Sequence, residues 1–120
     1  MAAVRGIHHV QICIAPNADA EARRFYIGLL GFREIDKPAP LQARGGFWLA
    51  VGDRQVHVNS EEGPRSKRAH VAYEVDDLSE WRMRLAASGV AVKDGEDLPG
   101  YRRFEFRDPF GNRIEFLERV

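Results

Sequence analysis

Four side chains suited to binding a metal or moving a proton recur at matching points of this chain. His9 begins the run His-Val-Gln-Ile-Cys-Ile, and His70 begins His-Val-Ala-Tyr-Glu-Val. His57 lies in Gly-Asp-Arg-Gln-Val-His-Val and Glu115 in Pro-Phe-Gly-Asn-Arg-Ile-Glu-Phe, so aligning the two segments sets His57 against Glu115. Three imidazoles and a carboxylate make a plausible ligand set for one divalent transition metal, with zinc, nickel, manganese and iron all compatible. Such an ion acts as a Lewis acid on an oxygen of a bound small molecule, with Glu115 as ligand, base, or both in turn. No short HxxxH or CxxC motif is present, so the signal lies in the repetition. A single histidine on a strand is more often a hydrogen-bonded surface or core residue. His8, predicted on the opposite strand face from His9, is read that way.

The elements that must position these residues repeat as well. Residues 7–14 read as a strand, followed by a helix capped by Asn17 or Asp19 and running to about Leu30, where Gly31 stops it. Ala18, Ala22, Phe25 and Leu29 form its apolar stripe, with Tyr26 and Leu30 beside it. A short strand at 32–35 and a Pro- and Gly-containing loop at 37–46 lead into strands 47–51 and 54–59, joined by the two-residue turn Gly52-Asp53. Residues 60–68 are polar and read as a linker. The pattern then restarts with a strand at 69–75. Asp77 and Glu80 stand at capping-box spacing before a helix with the stripe Leu78, Trp81 and Leu85. A short strand at 90–92 and a loop at 94–100 precede a closing hairpin around Asp108-Pro109-Phe110-Gly111-Asn112, a tight-turn sequence. The order is βαβββ-linker-βαβββ, with modules at 7–59 and 69–118 in one domain spanning 1–120. Alternation puts Tyr101, Arg103 and Glu105 on the face of Glu115. Phe47 is expected to face the corresponding way in the first module. These four are the predicted substrate-lining residues, with Arg103 for an anionic group and Phe47 and Tyr101 for an apolar body.

Composition narrows the setting. The 120 residues carry 18 Lys+Arg and 18 Asp+Glu, a neutral balance that argues against nucleic acid or an anionic membrane as the main partner. The single cysteine, Cys13, excludes an intrachain disulfide and favours a cytoplasmic location. No stretch has the apolar length of a membrane span or a signal peptide.

The chain resembles the vicinal oxygen chelate superfamily, which includes glyoxalase I, fosfomycin-resistance enzymes, extradiol dioxygenases and bleomycin-resistance proteins. The resemblance is carried by Ile-His-His-Val-Gln-Ile, Phe-Tyr-Ile-Gly-Leu-Leu-Gly-Phe, His-Val-Ala-Tyr-Glu-Val-Asp-Asp-Leu and Asp-Pro-Phe-Gly-Asn-Arg-Ile-Glu-Phe-Leu-Glu. It implies an α+β fold whose two βαβββ modules form a curved mixed sheet, a glyoxalase-like cup. The family's ligand positions map onto His9, His57, His70 and Glu115. A homodimer is implied, in which the first module of one subunit commonly shares a site with the second module of its partner. The implied function is that of a metal-dependent enzyme resembling glyoxalase I-type lyases or isomerases. The alternatives are an iron-dependent extradiol-type dioxygenase, a fosfomycin-type thiol transferase, or a non-catalytic ligand-sequestering protein. His57 departs from glyoxalase I, where an acidic or amide residue normally stands, and fosfomycin enzymes use only the other three positions.

Overall fold

A computed structural model describes all 120 residues. The chain divides into two compact units, Met1–Gly63 and Pro64–Val120, the boundary falling inside the linker. The first unit holds β1 (His9–Ile14), α1 (Asp19–Arg23), β2 (Arg33–Ile35), β3 (Phe47–Val51) and β4 (Arg54–Ser60). The second holds β5 (His70–Glu74), α2 (Leu78–Ala87), β6 (Lys93–Asp94), β7 (Tyr101–Arg107) and β8 (Arg113–Arg119). Each unit builds its own four-stranded mixed sheet, ordered β1-β4-β3-β2 and β5-β8-β7-β6. In each, the first strand runs parallel to the last and the other pairings are antiparallel. The βαβββ order expected from the repeat is therefore present twice.

In the first unit Ile12, Ile14, Phe47, Leu49, Val56 and Val58 are buried on one sheet face. The helical segment over that face departs from the α-helix expected to run to Leu30. After α1 the residues Arg24–Leu29 form a π-helical turn, in which the Leu30 amide donates to the Phe25 carbonyl at 3.0 Å. The wider turn shifts the period, so Tyr26 and Leu30 are buried beside Ala22 and Phe25 while Leu29 stays half-exposed. Neither Asn17 nor Asp19 caps α1; Ala18 holds the cap position without a side-chain bond. The Arg23 guanidinium lies 4.4 Å over the Phe47 ring and is paired with Glu34 at 2.9 Å.

The second unit is closer to expectation. Asp77 caps α2 by accepting from the Glu80 amide at 3.1 Å. The Glu118 carboxylate on β8 accepts from the amides of Asp77 and Leu78 at 2.9 and 3.3 Å, tying the helix start to the sheet. Trp81 meets the ring of Phe116 edge-on at 5.1 Å, and Phe104, Phe106, Ile114 and Phe116 complete the core. The short strand expected at 90–92 forms instead at Lys93–Asp94. The loop at 37–46 contains a 3-10 helix, Ala39–Arg44.

The turn before β8 sets the register on which the site depends. Buried Asp108 accepts from the Phe110 and Asn112 amides at 2.9 and 2.8 Å, and from the Asn112 side-chain amide at 2.8 Å. Gly111 takes the positive φ of 96° that closes the turn. Arg107 donates to the carbonyls of Gly111, Ser66 and Lys67, so the end of the linker is fastened to this turn.

Candidate metal centre

In the second unit, β5 and β8 run parallel with His70 beside Arg113 and Ala72 beside Glu115, so His70 and Glu115 share a sheet face. His70 Nε2 lies 3.6 Å from Glu115 Oε1. The other ring nitrogen, Nδ1, sits 2.9 Å from the Arg68 carbonyl oxygen. A carbonyl only accepts, so Nδ1 carries the proton, and in the neutral ring the lone pair is on Nε2, toward Glu115. Glu115 is only 5% exposed; beside it in register stand Ala72 on β5 and Glu105 on β7. Arg103 Nη1 donates to Glu115 Oε1 at 2.9 Å, and Arg103 Nε donates to the Glu96 carbonyl at 2.7 Å.

The Nε2···Oε1 gap fits a divalent ion. An imidazole nitrogen and a carboxylate oxygen are both donors that such an ion would take. The tautomer also fits, since metal-bound histidines usually have their second nitrogen held by a carbonyl or carboxylate.

In the first unit, β1 and β4 set His9 beside Gln55 and Gln11 beside His57, while β3 sets Trp48 opposite His57. These register pairs reproduce those of the second unit, with His9 in the place of His70 and His57 in that of Glu115. The side chains do something different, however. His57 is buried between two rings. Trp48 stacks on one side at 3.9 Å and 3°, and His9 on the other at 3.9 Å and 16°. His57 Nε2 donates to the Gln55 side-chain oxygen at 2.9 Å. A ligand nitrogen binds along its lone pair, in the plane of its ring. Two near-parallel rings this close cannot both hold one ion in plane. The stacked pair therefore does not fit joint coordination of one ion in this arrangement. Burial, followed by the charges of His9 and His8, pushes His57 down to about 4, so its ring is neutral near neutral pH. His9 Nδ1 contacts His8 Nδ1 at 3.0 Å, leaving Nε2 of His9 for other use. No group of three or more His, Cys, Asp or Glu side chains within the chain is arranged to hold a metal ion.

Of the predicted lining residues, Tyr101, Arg103 and Glu105 do share the face of Glu115. Glu105 is engaged by Arg113 Nε in a short ion pair, and Tyr101 has the Arg119 guanidinium over its ring at 5.2 Å. Phe47 does not line an open face. It pairs with Val58 on the core side and is 2% exposed. Trp48, the next residue, lies on the face of His57 instead. Counting back across the Gly52-Asp53 turn pairs 51 with 54 and therefore 48 with 57, so the signal was in the sequence. Nothing in residue spacing pointed to His8, Gln55 or the Arg68 carbonyl as partners of the histidines.

A family model described as Glyoxalase/Bleomycin resistance protein/Dioxygenase superfamily matches residues 6–116. Among solved structures, a protein from Bacillus anthracis assigned to the glyoxalase family is 39% identical, with a TM-score of 0.91, covering 100% of this chain and 99% of that one. A glyoxalase/dioxygenase from Nostoc punctiforme is 21% identical with a TM-score of 0.82, covering 97% and 92%. The antibiotic binding protein TnmS3 from Streptomyces sp. CB03234 is 22% identical with a TM-score of 0.77, covering 100% of both. The last two likenesses concern the fold alone. Among curated proteins there is no match.

Proposed function

The chain belongs to the glyoxalase/bleomycin resistance protein/dioxygenase superfamily, and from that premise we propose that it is a metal-dependent enzyme of glyoxalase-like lyase or isomerase type. The proposed ligands are His70, Glu115 and His9, with His9 supplied by a second copy of the chain in a homodimer. One observation carries the reading: a buried carboxylate oxygen stands 3.6 Å from a histidine nitrogen whose partner nitrogen is already fixed. A structural ion pair with Arg103 alone gives no reason for the fixed tautomer of His70.

A divalent transition metal held there supplies Lewis acidity, polarising a substrate oxygen. The Arg68 carbonyl keeps the His70 ring oriented through Nδ1–H. Glu115, shielded from water by its neighbours, accepts a proton from a carbon next to the polarised oxygen and returns it to the product. Arg103 meets an anionic substrate group with its guanidinium.

The test is metal content joined to turnover. Protein grown with supplemented zinc, nickel, manganese or iron should retain metal, and Glu115→Gln should lose turnover on substrates bearing adjacent oxygens while keeping the fold. A metal-free, ligand-binding protein indifferent to Glu115→Gln would overturn the reading. A second reading has its own support. With His57 withdrawn, two histidines and one carboxylate remain, the set used by non-haem iron oxygenases. Oxygen uptake by the ferrous form, absent from the zinc form, would select it.

A further inference from the structure

The two contacts of the Glu115 carboxylate fall on the same oxygen. Oε1 faces His70 Nε2 at 3.6 Å and accepts from Arg103 Nη1 at 2.9 Å. The guanidinium therefore sits on the atom that an ion bound to His70 would share. Arg103 also has a second anchor, since its Nε donates to the Glu96 carbonyl at 2.7 Å. Its guanidinium lies beside Gly95, in ordinary contact range of a Cβ built there. It lines a cleft of about 340 Å³ with Arg82, Asp94, Asp97 and Arg102.

We propose that Arg103 is a displaceable latch on Glu115, standing in for the metal cation until the ion arrives and then turning to receive the substrate's anionic group. This rests on the metal reading above. Without metal, a nearly buried carboxylate needs a positive partner, and Arg103 is the one it has. Once a divalent ion takes Oε1, the guanidinium becomes surplus positive charge beside that ion. The adjoining cleft gives the whole guanidinium room to turn off Oε1. An arriving anion then restores the charge balance. Metal loading thus precedes, and prepares, binding of an anionic substrate by Arg103.

The test is zinc affinity measured by competition with a chromogenic chelator on the full chain. Arg103→Met removes the competitor and should bind zinc tighter by about tenfold or more, the usual weight of a charge-assisted bond. Arg103→Lys keeps the charge and should stay near the wild type. On a Glu115→Gln background, Arg103→Met should bring no gain, since the two changes act through one contact. In 15N spectra the Arg103 guanidinium should rotate slowly in metal-free protein and freely once zinc is bound. A folded Arg103→Met variant with unchanged or weaker zinc affinity overturns the latch and leaves the metal reading intact, as does a guanidinium whose rotation zinc does not alter. Failure of the wild type and all variants to bind zinc, nickel, manganese or ferrous iron overturns both. If Arg103→Met does not fold, Arg103→Gln, which keeps a donor for Glu96 without the charge, carries the same test.

Discussion

His57 is held neutral between Trp48 and His9, and this has a consequence for stability in metal-free protein. Its pKa is near the ordinary 6.5 when unfolded and about 4 when folded, so between those values the unfolded chain binds the extra proton. Stability is therefore full above about 6.5 and falls as pH drops toward about 4. Urea unfolding of chelator-treated protein at pH 7.5 and 5 should show that loss. His57→Phe, which keeps a ring in the stack, should remove this part of it, and an identical loss in the variant would contradict the assignment. The same substitution separates platform from ligand. His57→Phe should leave zinc affinity within about threefold, whereas His70→Ala should lower it by at least about tenfold, within the range for losing a ligand or its supporting partner. The repetition of His9/His70 and His57/Glu115 made these residues legible as a group. The stack was not legible, because strand parity gives the face a side chain occupies and leaves its ring orientation to local packing. Phe47 shows a different failure. The face was misjudged by one residue, and a one-residue slip inverts every side chain of a strand.

At the scale of elements, the hairpins and helix caps do the positioning. Gly46 precedes β3 with φ of 78°, and a Cβ there would lie 2.3 Å from the Val58 carbonyl, one residue beyond His57 on β4. Gly45, with a similar φ of 74°, has open space around it. Gly46→Ala should therefore destabilise by clearly more than Gly45→Ala, whose cost is confined to backbone strain of about 1–3 kcal/mol. Thermal or urea melts of the two variants check this; equal losses would contradict the close approach. Glu118→Ala removes the acceptor for two amides at the start of α2 and should cost about 1 kcal/mol, visible as a lower urea midpoint at unchanged m-value. Most of the second unit could be read ahead, because Asp77, Glu80 and the Asp108–Asn112 turn carry their own local chemistry. The first helix could not be read in full. A π turn inserts one residue into the period, and nothing in Arg-Phe-Tyr-Ile-Gly-Leu marks it by spacing. The role of Glu118 as a cap depends on a strand distant in sequence, which no local pattern reveals.

For the whole molecule, the duplicated module gives two equivalent strand frameworks that have been put to different uses. One presents an aromatic stack. The other presents a histidine, a carboxylate and an arginine on one sheet face. No helix is long and apolar enough to cross a membrane. The proposed site needs His9 from a second copy of the chain. Sedimentation at micromolar concentration should accordingly show a dimer, and a monomer would leave His9 without the route proposed for it. The measurement that bears most directly on the metal centre is anomalous scattering from crystals grown with zinc. The expected result is a peak within about 2.0–2.2 Å of His70 Nε2 and Glu115 Oε1, completed by His9 of a second copy, with Arg103 Nη1 no longer on Oε1 and His57 still stacked between Trp48 and His9. A zinc-soaked crystal with no peak between His70 and Glu115, and with Arg103 still bonded to the carboxylate, would contradict it.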